Sequence, residues 1–212
     1  MEIPQRGYIF IAPLAFHKLK TYIECCPVEI GGLGEVELRG DHFVITDVLL
    51  ISQRVTPSET ALDPDQVCAL LSQYLARGRD PASLRVWWHS HGETDAYWSR
   101  TDQQTIEAFP GEYLISIVGN KGGQFRCRLD IFAPTRQTVE ALDLVPLGEP
   151  VPAGTDDPDR LRSTIREEIR TKVKIFLPVD PVELQEWVIA TEPEDVEVDL
   201  DRFDHDPDQA SI

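Results

Sequence analysis

Hydrophobic and polar positions along the chain alternate between a strand period and a helix period. Runs of β-branched and aromatic residues predict strands over residues 8–11, 28–34, 43–52, 84–88, 113–118, 124–132 and 139–147. Apolar residues at helical spacing predict helices over residues 13–25, 64–77 and 101–109. The polar segment over residues 53–62, which contains Pro57, is predicted to be a loop. The strand over residues 139–147 is predicted to lie at the edge of the sheet.

The composition changes near residue 148. Residues 148–158 hold three prolines, two glycines and two aspartates, as a linker does, and residues 160–175 predict a helix with six basic and two acidic side chains. From residue 180 onward there are 12 acidic residues and one basic residue. We therefore expect a folded domain over residues 1–147, a linker over 148–159, and a C-terminal extension over 160–212 that ends in a partly disordered acidic tail. The tail is either a solvated end or a docking segment for a basic partner.

The overall charge limits the classes of partner. The 212 residues include 37 acidic and 20 basic side chains, a net charge of −17, so the protein is a poor candidate for binding nucleic acid or an anionic membrane. The basic helix leaves a nucleic-acid contact open, although the acidic tail beside it can neutralise it. No apolar run reaches the roughly 18–20 residues that span a bilayer. Four cysteines without a CxxC pair indicate free thiols in a reducing compartment, and we expect a cytoplasmic protein.

The most informative stretch is His89-Ser90-His91, at the end of a predicted buried strand. Side chains alternate along a strand, so both imidazoles point to the same face and can share a metal ion. If the following loop folds back, Asp102 becomes a third ligand. Two histidines and a carboxylate leave a fourth position for water, which is typical of catalytic rather than structural zinc.

Hydrolysis at such a site also needs a general base and a donor for the developing oxyanion. Glu29, at the start of a glycine-rich strand, is the candidate base, and Ser99, three residues before Asp102, is the candidate donor. Two alternatives stay open. Glu29 is also compatible with a solvated carboxylate, and Ser99 with a helix cap.

Together these residues resemble the JAMM motif of the MPN+ metalloproteases, whose prokaryotic members are of the JAB type. The motif reads Glu29, then His89-Ser90-His91, seven residues, Ser99, two residues and Asp102. The resemblance covers roughly residues 5–147. It implies an α/β (α+β) fold of the cytidine-deaminase-like kind, a mixed curved β-sheet flanked by helices. It also implies one zinc ion held by His89, His91 and Asp102, with Glu29 as acid/base and Ser99 steadying the tetrahedral intermediate.

The resemblance further implies hydrolysis of an isopeptide or peptide bond after the C-terminal tail of a ubiquitin-like protein. The chain lacks the insertions with which eukaryotic members grip linked ubiquitins, so we expect a compact prokaryotic enzyme. Such enzymes accompany E1-like and E2-like proteins in ubiquitination-like systems, some of them antiphage. Two other functions stay open: a peptidase that processes a sulfur-carrier protein, and a non-catalytic scaffold. A metallo-β-lactamase is excluded, because His91 is followed by Gly-Glu-Thr rather than by the Asp-His of that motif.

Overall fold

The computed structural model describes residues 7–56, 59–148 and 158–175. In chain order, the elements of this part are β1 (Tyr8–Ile11), α1 (Pro13–Cys25), β2 (Gly31–Arg39), β3 (His42–Leu50), β4 (Gln53–Thr56), β5 (Glu59–Leu62), α2 (Pro64–Ala76), a 3₁₀ turn (Pro81–Ser83), β6 (Val86–Ser90), α3 (Arg100–Ala108), β7 (Tyr113–Gly119), β8 (Phe125–Ile131), β9 (Gln137–Pro146), α4 (Pro158–Lys172) and β10 (Val173–Ile175). Helices and strands are interleaved, as the sequence pattern predicts.

Seven strands form the main sheet, in the order β1-β3-β2-β6-β7-β8-β9. Parallel and antiparallel pairs both occur, so the prediction of a mixed sheet flanked by helices is confirmed. The sheet is also closed into a barrel, because β9 pairs in parallel with β1, Tyr8 lying opposite Asp143. The prediction of an edge strand at residues 139–147 is therefore wrong: β9 has β8 on its other side. Its exposed polar residues made it resemble an edge strand.

The prediction of a loop over residues 53–62 is also wrong, because most of this segment forms the hairpin β4–β5. Gln53 and Val55 alternate with exposed Arg54 and are almost fully buried, at 2% and 0% exposure. The third strand of this small sheet is β10, in the order β10-β4-β5. A strand partner more than 110 residues away leaves no local signal in the sequence, so the polar composition suggested a loop.

Two hydrophobic clusters lie on opposite faces of β6. Trp88 belongs to the larger cluster, which joins α1 to the barrel strands, and its ring stacks on Tyr22. Trp87 belongs to the smaller cluster, which includes Ile106 of α3 and Leu33 of β2. The two tryptophans thus alternate between the faces of β6, and large buried surfaces hold this strand from both sides.

The part of the C-terminal extension that the structure describes packs on α1. Ile165 of α4 is 1% exposed in the larger cluster, Arg162 pairs with Glu24 at 2.9 Å, and the Tyr22 hydroxyl donates a hydrogen bond to Glu168. The helix predicted over residues 160–175 starts at 158 and ends at Lys172, since the β-branched residues after it join a strand. Most of the predicted linker and the acidic tail lie outside the described residues. The domain boundary at residue 147 stays a prediction.

Candidate metal centre

Three buried side chains converge at the end of β6. The Nε2 atoms of His89 and His91 are 3.2 Å apart. The carboxylate of Asp102 lies 3.1 Å from Nε2 of His89 and 3.5 Å from Nε2 of His91. All three residues are buried, at 2%, 6% and 7% exposure. The structure thus brings together the three ligands predicted from the sequence, and they could hold a metal ion.

The spacing of these ligand atoms fits zinc. A tetrahedral zinc ion with ligand distances of about 2.0–2.1 Å places its ligand atoms about 3.3 Å apart. Here the two Nε2 atoms are 3.2 Å apart, and each faces its own oxygen of Asp102: Oδ1 lies 3.1 Å from His89 and Oδ2 lies 3.5 Å from His91. Two imidazole nitrogens and one carboxylate oxygen are also the donor types that catalytic zinc sites use, and three protein ligands leave the fourth position open.

The strand end fixes the two histidines. His89 lies opposite Gly31 on β2 and Val118 on β7, so its backbone is held on both sides. His91 follows the last residue of β6, and its N–H donates to the Gly119 carbonyl at 2.9 Å. Its Nδ1 is 3.3 Å from the Asp95 carbonyl oxygen. That oxygen accepts when Nδ1 carries the proton, which leaves the Nε2 lone pair for a metal ion.

Asp102 is oriented by the start of α3. Ser99 is the N-cap: its Oγ accepts from the Asp102 N–H at 3.1 Å, and the Ser99 N–H donates to the Asp102 carboxylate at 2.7 Å. This reciprocal capping box fixes the carboxylate within the first turn of the helix. The cap interpretation of Ser99 is therefore correct. It does not exclude the catalytic role, since capping uses an acceptor lone pair and leaves the hydroxyl proton to donate.

The electrostatics of the three ligands are strongly coupled. Burial lowers the pKa of His89 below its ordinary value. The hydrogen bond to Asp102 raises the pKa of His91, against the effect of its burial. Burial acts to raise the pKa of Asp102, but hydrogen bonds from the two histidines outweigh it and hold the pKa far below the usual range. Asp102 is thus an anion at neutral pH, the form in which a carboxylate binds a metal ion.

Glu29 lies in the same cavity, half-buried, two residues before β2 begins. The cavity is 150 Å³ and is also lined by Ser99, by the three ligands and by Thr60 of β5. Glu29 is close enough for its charge to raise the pKa of His91. All five residues predicted from the sequence therefore meet in one cavity, although 60 residues separate Glu29 from His89.

Two contacts hold the backbone that follows Glu29. Ser90, between the two histidines, accepts the Ile30 N–H at its Oγ and donates its own N–H to the Ile30 carbonyl, at 3.2 and 2.8 Å. The side-chain amide of Gln53 accepts the Gly31 N–H at 2.9 Å and donates to the Gly31 carbonyl at 2.7 Å. Neither role was predicted, because both partners are distant in sequence.

The turn between β7 and β8, together with residues of β8, holds the loop between His91 and Ser99. Asn120 donates to the Thr94 carbonyl at 2.8 Å, and Arg126 donates to the Ala96 carbonyl at 2.5 Å. The Arg128 guanidinium, ion-paired with buried Asp130, lies over the ring of Trp98. None of these contacts was predicted, since Asn120 and its neighbours show no sequence pattern that indicates a tertiary contact.

A strand-end group of two histidines and a carboxylate, with a second carboxylate and a hydroxyl in the same cavity, defines a candidate metal centre in a protein of mixed α/β fold. A sequence model described as prokaryotic homologs of the JAB domain matches residues 14–129. The chain belongs to this family, which includes zinc metalloproteases as well as non-catalytic members.

A solved structure supports the fold. The chain is similar to the solution structure of protein DSY2949 from Desulfitobacterium hafniense, with 17% identity and a TM-score of 0.51. The similarity covers 66% of this chain and 94% of that one. The comparison with curated proteins finds no match. Among the described residues, no helix has both the length and the apolarity to cross a bilayer.

Proposed function

We propose that this protein is a zinc-dependent peptidase that cleaves an isopeptide or peptide bond after the C-terminal tail of a ubiquitin-like protein. The observation that carries the proposal is the site itself. Two imidazole nitrogens lie 3.2 Å apart, each within 3.5 Å of a carboxylate oxygen of Asp102, and Glu29 and Ser99 line the same cavity. Non-catalytic use of the fold needs none of these groups, whereas hydrolysis uses all five.

The surroundings of the cavity fit an extended substrate with small residues at the cleavage point. In the order β10-β4-β5, β5 is the outer strand of its sheet among the described residues, and its Thr60 lines the cavity. An extended peptide can add to such an edge through main-chain hydrogen bonds. A cavity of 150 Å³ is well below the roughly 300–1,000 Å³ of common ligand pockets, so it favours glycine-like residues at the cleavage point. The C-terminal tail of a ubiquitin-like protein meets both conditions.

In this proposal each residue has a distinct chemical role. His89, His91 and Asp102 would hold the zinc ion, which lowers the pKa of water and polarises the substrate carbonyl. Glu29 accepts a proton from the attacking water and passes it to the leaving amine as the carbon–nitrogen bond breaks. Ser99 donates its hydroxyl proton to the developing oxyanion. The backbone contacts of Ser90 and Gln53 keep Glu29 at the cavity.

The modifier and its setting follow from the same proposal. E1-like and E2-like proteins would attach the modifier that this enzyme removes, or the enzyme would trim an immature precursor. All four cysteines are free thiols, which supports a reducing, cytoplasmic setting.

The test measures zinc and cleavage together. The protein is purified without chelator, zinc is quantified per chain, and a ubiquitin-like protein with a C-terminal extension is added. We expect about one zinc ion per chain, cleavage after the tail, zinc loss in His89→Ala, and loss of cleavage with zinc retained in Glu29→Gln. The matched control is Glu93→Gln, which removes an exposed carboxylate from the site loop and should leave cleavage intact. Full activity of Glu29→Gln contradicts its assignment as the base, and absence of zinc contradicts the proposal.

A further inference from the structure

The C-terminal segment reaches the hairpin β4–β5 through strand β10. This strand pairs in parallel with β4: Val173 lies opposite Gln53, and Ile175 opposite Val55. Ile175 and Val55 are 7% and 0% exposed, within the same cluster as the barrel strands. The segment over residues 158–175, called the C-terminal brace below, is thus packed into the core at its far end as well as along α1.

A second contact fixes the brace beside the start of the hairpin. The Lys172 ammonium donates to the Leu50 carbonyl at 3.1 Å and lies 3.5 Å from Glu168 on its own helix. Leu50 is the last residue of β3 and pairs with Gly32 of β2. Lys172 therefore satisfies a carbonyl at the point where the chain leaves the barrel and enters β4.

From β4 the contacts continue to the catalytic cavity. Gln53 is 2% exposed. Its side-chain amide accepts the Gly31 N–H and donates to the Gly31 and Ile51 carbonyls, so it bonds to the edge of β2 as a neighbouring strand would. Gly31 follows Glu29 by two residues and lies opposite His89. A Cβ at Gly31 would stand 3.3 Å from the Cβ of His89 and 3.4 Å from the hydroxyl of Thr60. The hairpin and the strand that carries His89 therefore meet at this glycine, two residues after Glu29.

We propose that the C-terminal brace is a positioning element of the active site. It holds the hairpin β4–β5 against the barrel, and through Gln53 it fixes the backbone that carries Glu29. The metal ligands are also held by the pairing of β6 with β7 and by the capping box of α3, and neither of these involves the brace. Its loss should therefore disturb proton transfer and substrate binding at the hairpin while zinc binding persists. As far as it concerns catalysis, this inference rests on the proposed function.

The test uses the full chain with two variants of the brace. Lys172→Met keeps the aliphatic stem and removes the donor to Leu50, and Ile175→Ser removes the buried side chain of β10. The control, Glu167→Gln, changes the solvent face of the same helix, where Glu167 only pairs with Arg170. Residue-resolved hydrogen exchange follows the Gly31 amide and the hairpin amides, zinc affinity is measured by competition with a chelator, and kcat and KM are measured on the extended ubiquitin-like protein.

In both brace variants we expect exchange at Gly31 and in the hairpin to rise about tenfold or more, while exchange in β7 stays as in wild type. Zinc affinity should stay within about twofold, kcat should fall about tenfold or more, and KM should rise, because small misplacements of a catalytic group are costly. Unchanged exchange at Gly31 in Ile175→Ser would overturn the inference, as would loss of zinc affinity in step with kcat. If wild type cleaves no substrate, the proposed function fails, and the exchange at Gly31 still decides whether the brace fixes this backbone.

Discussion

Removal of the Ser99 hydroxyl separates the two roles that this residue has in the proposed site. In Ser99→Ala the Asp102 N–H loses its side-chain acceptor, a hydrogen bond of 3.1 Å. The reciprocal bond, from the Ser99 N–H to the Asp102 carboxylate at 2.7 Å, is made by the backbone and survives the substitution. The carboxylate therefore keeps the contact that orients it toward the two histidines.

The two roles predict losses of different size in different measurements. Removal of a serine N-cap costs about 1 kcal/mol of stability, which lowers Tm by about 2–4 °C in a protein of this size. Removal of an oxyanion donor costs about 10²–10³ in kcat. Since the metal ligands stay oriented, zinc affinity should change little. We expect Ser99→Ala to be slightly less stable, fully loaded with zinc, and slower by two to three orders of magnitude.

Asp63 provides a matched control for the cap. It is the N-cap of α2, where its carboxylate accepts the N–H groups of Asp65 and Gln66 at 2.9 and 3.3 Å. Asp63→Ala should therefore cost a similar stability, about 1 kcal/mol. Asp63 lies outside the cavity that holds the candidate ligands, so the kcat of Asp63→Ala should match that of wild type.

The assay compares kcat, Tm and zinc content of the three proteins on one extended ubiquitin-like substrate. Wild-type kcat in Ser99→Ala, with the expected fall in Tm, would reduce Ser99 to a helix cap. Equal loss of kcat in Asp63→Ala would show that the loss follows from stability rather than from the oxyanion. Loss of zinc in Ser99→Ala would refute the argument that the backbone bond alone orients Asp102.

Three further predictions test the fold and the metal. A Cβ at Gly32 would stand 2.1 Å from the Leu49 carbonyl oxygen, so Gly32→Ala should cost more than about 2 kcal/mol in urea unfolding, and wild-type stability would contradict the β2–β3 register. Burial raises the pKa of Cys26 to about 11 and of Cys127 to about 12, so at pH 8 an alkylating reagent should label exposed Cys68 first, as peptide mass spectrometry can show. A chelator should abolish cleavage and lower Tm, and added zinc should restore both.

The cluster of His89, His91 and Asp102 was predictable because its signals are local. Alternation along one strand places His89 and His91 on the same face, and the spacing of Ser99 and Asp102 is that of a helix start. The position of Glu29 beside the histidines could not be predicted from local signals. It could be predicted only from the resemblance to a known motif, since β2 and β6 must pair before the carboxylate reaches the histidines.

The incorrect predictions share one physical cause. The segment over residues 53–62 has the composition of a loop and becomes a hairpin, because β10 and the barrel supply what its own sequence lacks. The strand over residues 139–147 looks like an edge strand and closes the barrel, because β1, at the other end of the domain, pairs with it. In both cases the deciding hydrogen bonds join residues more than 100 positions apart, and no periodicity within a single segment encodes its partner.

Residues distant in sequence also hold the backbone around the site. Ser90 and Gln53 fix the backbone after Glu29, and Asn120 fixes the loop after His91. Each of these three side chains forms hydrogen bonds with main-chain groups that the pairing of strands leaves without a partner. Buried main-chain groups need such partners. We expect a change at any of them to move one proposed catalytic group relative to the others while the barrel remains folded. Activity should therefore be more sensitive than stability to substitutions at these positions.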